Sequence, residues 1–117
     1  MLEKQITQTP CSLDVFDGWF TPNSYANDFR EIPDRPGVYL LVAVCVRSLK
    51  ALVCYAGMSR NLSKRLENHP VKRLCEARFD YVKVYFKEER SGLRTKEKAL
   101  IREFNPLYNL QHKMVGV

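Results

Sequence analysis

The stretch Gly37-Val38-Tyr39-Leu40-Leu41-Val42-Ala43-Val44-Cys45-Val46-Arg47-Ser48-Leu49-Lys50-Ala51-Leu52-Val53-Cys54-Tyr55-Ala56-Gly57 decides the fold. Its first part, 38–46, is an apolar run rich in valine and leucine, the composition of a buried strand. Residues 47–50 are more polar and reverse the chain. A second apolar run, 51–56, ends at Gly57. Two such runs joined by a short polar link form an antiparallel hairpin. No Asn-Gly or Asp-Gly pins the turn, so the register stays open by a residue or two. Tyr39 and Tyr55 fall at nearly matched distances from the turn and can meet on one face of the sheet. Such a pair serves either as packing or as part of a site.

Upstream, Asp34-Arg35-Pro36-Gly37 is a turn that launches the first strand. Thr21-Pro22 has the form of an N-cap followed by proline at the first helical position. Tyr25 and Phe29 then share one face of a short helix that Pro33 stops. Residues 1–20 are the least patterned, but Phe16, Trp19 and Phe20 are too apolar to stay in water. They fold back onto the core or meet another subunit.

Downstream, a helix begins near Ser59 or Asn61, turns Leu62 and Leu66 inward and ends at Pro70. Val71, Leu74, Cys75 and Phe79 repeat at three and four, predicting a second short helix. Residues 80–86 alternate, with Tyr81, Lys83 and Tyr85 on one face and Val82, Val84 and Phe86 on the other. That is a third strand with one face inward. A helix over 93–104 follows, closed by Asn105-Pro106. The expectation is a small α/β domain: a three-stranded antiparallel sheet flanked by helices over 35–110, an extension with a short helix over 1–34, and a tail over 111–117.

The chain has 117 residues, enough for one domain, and a net charge of +6. No run reaches the roughly 20 apolar residues of a membrane span, and the start lacks a signal-peptide pattern. A soluble intracellular protein is expected, with no membrane partner, and cytoplasmic if the source is bacterial or phage. The positive balance favours an anionic partner. Arg60, Lys64, Arg65, Lys72 and Arg73 form a tract suited to phosphate contacts, or simply a solvated basic face. The four cysteines show no CxxC spacing. Cys45 and Cys54 lie in apolar runs and read as small buried hydrophobes.

Three residues stand out. Leu93, Leu100, Ile101 and Phe104 form one apolar stripe on the last helix, and Glu97 falls inside it. A carboxylate facing a core is unfavourable by several kcal/mol unless a cation or hydrogen bonds compensate. Glu97 therefore pairs with an arginine at the core edge or holds a metal at the sheet surface. Arg65 sits at the margin of a buried helix face, either snorkelling or serving a site. His69, one turn on, is a cation at a helix C-terminus or a site residue.

Taken together these residues resemble the GIY-YIG endonuclease family. Gly37-Val38-Tyr39 is similar to its first motif and Tyr55-Ala56-Gly57 to its second. The run from Tyr55 through Arg65 to Leu66 resembles the strand that leads into the family's arginine-bearing helix. Glu97, with Leu100-Ile101-Arg102 and then Pro106-Leu107-Tyr108-Asn109, resembles its catalytic-glutamate helix and closing asparagine. Ala56 stands where isoleucine is usual, Met58 where several relatives carry lysine, and the hairpin is longer than is typical.

The resemblance implies a three-stranded sheet, cleavage of phosphodiester bonds in DNA, and one Mg²⁺ or Mn²⁺ held by Glu97. It implies that Arg65 offsets charge on the phosphate and that Tyr39 or Tyr55 helps deprotonate the attacking water. It also implies that Asn109 orients the site and that His69 handles a second proton. Gly57, Arg60, Lys64, Lys72 and Arg73 would contact the substrate. A homodimer is compatible with cutting both strands. The competing expectation is a nucleic-acid-binding module of the same fold without turnover. A third is a structural subunit that docks through Trp19 and Phe20.

Overall fold

Every residue from Gly37 to Val44 is buried, as an unbroken apolar run requires when both faces of its strand are covered. In the computed structural model, which describes residues 10–20, 25–26, 31–79 and 81–109, this run is the middle of one antiparallel sheet. The strands are β1 (Cys11–Ser12), β2 (Tyr25–Ala26), β3 (Gly37–Cys45), β4 (Lys50–Ser59) and β5 (Val82–Glu88). Their order across the sheet is β1-β4-β3-β5-β2. Helices α1 (Leu62–Glu67) and α2 (Pro70–Arg78) cover one face, and α3 (Leu93–Phe104) covers the other.

The sheet is thus wider than the expected three strands. The three long strands are those read from the sequence, and two two-residue strands add to the edges. Tyr25 belongs to the second of these, not to a helix. It pairs with Tyr85, and Ala26 with Val84, supplying the free edge of β5 with hydrogen-bond partners. Residues 21–24 and 27–30, which hold the expected cap and Phe29, lie outside the described residues, as does the tail 111–117.

Two apolar layers follow from the alternation along the strands. Tyr39, Leu41, Ala43, Cys54, Tyr55, Val84 and Phe86 pack with Leu62, Leu66 and Cys75 of the first two helices. Val38, Leu40, Val42, Val44, Val53, Ala56 and Tyr85 pack with Phe16, Phe20 and Leu100. The third strand therefore has both faces covered, correcting the reading of a single inward face. Tyr85 lies 4.7 Å from the Phe16 ring, centroid to centroid. The amino-terminal aromatic residues do fold back: Phe16 and Trp19 also meet Phe104, at 5.4 and 5.6 Å.

Smaller corrections have local causes. Leu74 is 56% exposed, because Val71 and Cys75, four apart, define the inner face of α2. Cys45 is exposed at the end of β3, where the chain leaves the core. Pro70 does more than end α1; it opens α2 at a position where its missing N–H is harmless. Asn105 closes α3 in the left-handed region at φ 45°, which asparagine tolerates. No helix among the described residues is long and apolar enough to cross a membrane.

The hairpin contains one irregularity that the rest of the domain uses. Val42 pairs with Val53 and Leu41 with Tyr55, so Cys54 is an extra residue in β4. Strict alternation would send Tyr55 to the α3 side. The bulge puts Cys54 and Tyr55 in the same layer and returns Ala56 to the other. Residues after α3 hold this bulge from outside. The N–H groups of Leu107 and Tyr108 donate to the carbonyls of Val53 and Cys54, at 3.0 and 2.9 Å. Asn109 then brackets Ala56: its Oδ1 accepts from the backbone N–H at 2.7 Å, and its Nδ2 donates to the carbonyl at 2.9 Å.

Asn109 is buried, so truncating it strands two backbone groups away from water. Asn109→Ala is expected to lower unfolding free energy by about 2–4 kcal/mol. Urea denaturation followed by tryptophan fluorescence checks this; an unmoved midpoint would refute the clamp.

Candidate active site

Tyr39 pairs across the hairpin with Gly57, and its ring lies over that glycine. A Cβ at position 57 would stand 2.5 Å from the Tyr39 hydroxyl oxygen. The bare backbone thus lets the phenol reach from β3 across β4. The bulge places Tyr55 beside it, with ring centroids 6.2 Å apart and planes 30° apart. His69 stands edge-on to both rings, at 5.6 Å from Tyr39 and 4.9 Å from Tyr55.

His69 is 1% exposed, and both of its ring nitrogens are engaged. It caps the start of α2, its Nδ1 accepting the Val71 N–H at 3.2 Å. Burial first, and then the Arg65 charge, pull its pKa down to about 4, so the ring is neutral near pH 7. With Nδ1 accepting, the single ring proton sits on Nε2. That N–H donates to the Tyr39 oxygen at 2.8 Å. His69 is therefore not a cation at the end of α1. It is a neutral donor that orients the phenol, and the Tyr39 proton must point elsewhere.

Arg65 supplies the positive charge. It projects from α1, exposed to solvent, and hydrogen-bonds with both tyrosines. Burial alone would weaken its hold on its proton; the contacts with Tyr39 and Tyr55 outweigh that. Burial raises the Tyr39 pKa strongly, and Tyr55 adds to it, while Arg65 works in the opposite direction. Glu97, on the helix that covers the other sheet face, makes the smallest contribution, in the raising direction.

Glu97 is half-buried within the apolar stripe of α3. Among the described residues no group of three or more His, Cys, Asp or Glu side chains could cage a metal. A lone carboxylate beside an arginine and two phenols suits Mg²⁺ or Mn²⁺, which bind through one or two carboxylates and fill their octahedra with water and phosphate oxygens.

The structure brings Tyr39, Tyr55, Arg65 and His69 into direct contact, while Glu97 projects from α3, which covers the other face of the sheet. Asn109 stands behind the group, holding β4. Gly57 is buried and serves as space for Tyr39. Lys72 pairs with Glu76 at 2.9 Å, and Arg73 donates to Asn68 at 3.5 Å, so both have partners on their own side of α2. Lys64 and Arg60 are exposed. Arg90 and Arg94, which are not among the residues expected from the sequence, share a cavity of about 500 Å³ with Arg60. One signal was present: the first turn of α3 carries no acid, although the helix dipole favours one there. Compared with known proteins, no family model, curated protein or solved structure matches the chain.

The buried neutral His69 makes stability pH-dependent. Its folded pKa, about 4, lies below the unfolded value of 6.5. Below pH 6.5 the unfolded chain takes up a proton that the folded chain refuses, so stability falls as pH drops toward 4. Between pH 7 and 4.5 this group should remove about 2–3 kcal/mol. His69→Gln should flatten that part of the profile, as read by urea titrations at the two pH values. Parallel profiles for both proteins would contradict the assignment.

Proposed function

We propose that the chain is a divalent-metal-dependent DNA endonuclease of the GIY-YIG type, hydrolysing phosphodiester bonds with water. The observation that carries this reading is the meeting of the buried Tyr39, Tyr55 and neutral His69 with the exposed Arg65. Packing alone has no need of an arginine held between two buried tyrosines, nor of a half-buried acid beside them.

Arg65 meets a non-bridging phosphate oxygen and offsets the charge that grows there as water attacks. Tyr55 holds the guanidinium in place. Tyr39 handles the proton of the attacking water. His69 donates to its oxygen, which favours the phenolate whenever the hydroxyl proton departs. The phenol is too weakly acidic in its buried setting to work alone, and the Arg65 charge is one of the two positive influences it needs. Mg²⁺ or Mn²⁺, when bound by Glu97, supplies the second, along with polarisation of the scissile phosphate. Asn109 fixes Tyr55 indirectly, through the bulge it clamps. One such site cuts one strand, so a double-strand break requires two copies of the chain or two visits.

The test is incubation with supercoiled, branched and single-stranded DNA in Mg²⁺, Mn²⁺ and EDTA. Nicking is expected with either metal and none with EDTA. Glu97→Ala should abolish cleavage while leaving DNA binding intact or tighter. Arg65→Ala should lose about 10²–10³ in rate and remain folded. Equal nicking by the wild type and Glu97→Ala would sink the mechanism. DNA binding without cleavage in either metal would favour a module that keeps the fold but does not turn over.

A further inference from the structure

We propose that the cavity between the end of β4 and the start of α3 binds a backbone phosphate of the polynucleotide, next to the one cleaved. This deepens the nuclease reading and rests on it for the substrate. The cavity, about 500 Å³, takes one arginine from each of three segments: Arg60 after β4, Arg90 after β5 and Arg94 in α3. Ser59, Ser91 and Gly92 also line it, and no carboxylate does.

Several cations elsewhere on the surface have carboxylate partners. Arg35 meets Glu88 at 3.7 Å, Lys72 meets Glu76, and Lys87 and Lys96 share Glu89 at 3.3 and 2.7 Å. Among the described residues, no such pair includes Arg60, Arg90 or Arg94. Three like charges around one hollow repel each other, and a bound anion relieves that repulsion. That all three are arginines matters, because a guanidinium fork matches two phosphate oxygens where an ammonium offers only a point charge.

The cavity is also close along the chain to the candidate site. Met58 and Ser59, in its wall, follow directly after the glycine beneath Tyr39. Arg94 precedes Glu97 by about 4.5 Å along the helix axis. A strand whose scissile phosphate meets Arg65 would pass this hollow on one side. A free mononucleotide carries the same phosphate chemistry, and the experiment separates the two sources.

Fluorescence anisotropy of labelled single-stranded and duplex oligonucleotides, in EDTA over a NaCl series, tests the site with Arg90→Gln/Arg94→Gln. The double variant should bind about 10-fold or more weakly, and its slope of log affinity against log salt should fall by about 1–2. Arg47→Gln at the hairpin tip should change neither. With Mg²⁺, the double variant should raise KM and keep kcat at saturating DNA within about 2-fold. Unchanged affinity and slope would overturn the proposal. A labelled mononucleotide binding as tightly as the oligonucleotide would overturn the assignment to a polynucleotide. Wild type that binds DNA through these arginines yet cuts nothing with either metal leaves the subsite standing and removes the nuclease reading.

Discussion

The bulge at Cys54 and the segment that grips it hold the domain's arrangement together. A strand has two faces, and a one-residue shift exchanges them completely. In β4 the extra residue makes that exchange once, between Val53 and Ala56. Before it, the strand alternates in step with the α3 layer; after it, Tyr55 stands beside Tyr39 and under His69. On the outer side of β4, β1 pairs only with Lys50 and Ala51, so the backbone groups beyond them need other partners. The N–H groups of Leu107 and Tyr108 and the amide of Asn109 meet them one after another. The asparagine motif at the end of the domain is thus a mould for the strand that carries the tyrosine.

Around that strand the site balances burial against charge. Tyr39 and His69 are buried, and burial favours the neutral form of each, pushing one pKa up and the other down. Their mutual hydrogen bond keeps either from being a stranded polar group. Arg65 stays at the surface, where an incoming anion can reach it, while its contacts lead inward to the phenols. Glu97 approaches from the opposite layer, because α3 packs beside β4 and Gly57 lets the Tyr39 hydroxyl extend over that strand. A larger residue at 57 would push the phenol back toward β3 and separate it from the carboxylate.

Much of this was legible in the residues. The periodicity of 93–104 gave the last helix at its observed limits, Leu93–Phe104, and marked Glu97 as misplaced for a core. The apolar runs indicated the hairpin, since both are short, rich in valine and leucine, and joined by a polar link. Tyr25 was misread because its two-residue pairing with β5 is a tertiary event, while the local signals Thr21-Pro22 and Tyr25/Phe29 fit a helix. Tyr85 was left on an open face because alternation cannot reveal that Phe16 and Phe20 return to cover it. The bulge has no sequence signature here, so a shared site for Tyr39 and Tyr55 stood as one option beside plain packing. The role of His69 was hidden for a related reason: its direction as a donor depends on a backbone N–H two residues away.

The order in which a ribosome releases these parts gives the clamp a further meaning. Both hairpin strands, the His69 cap and Arg65 emerge well before residues 107–109. Until those three residues leave the exit tunnel, β4 has no template for its extra residue, and Tyr55 has no fixed side. A chain whose synthesis stops short of Asn109 can build a hairpin and still lack the pair of phenols. The last residues of the domain thus set which face of β4 carries its tyrosine.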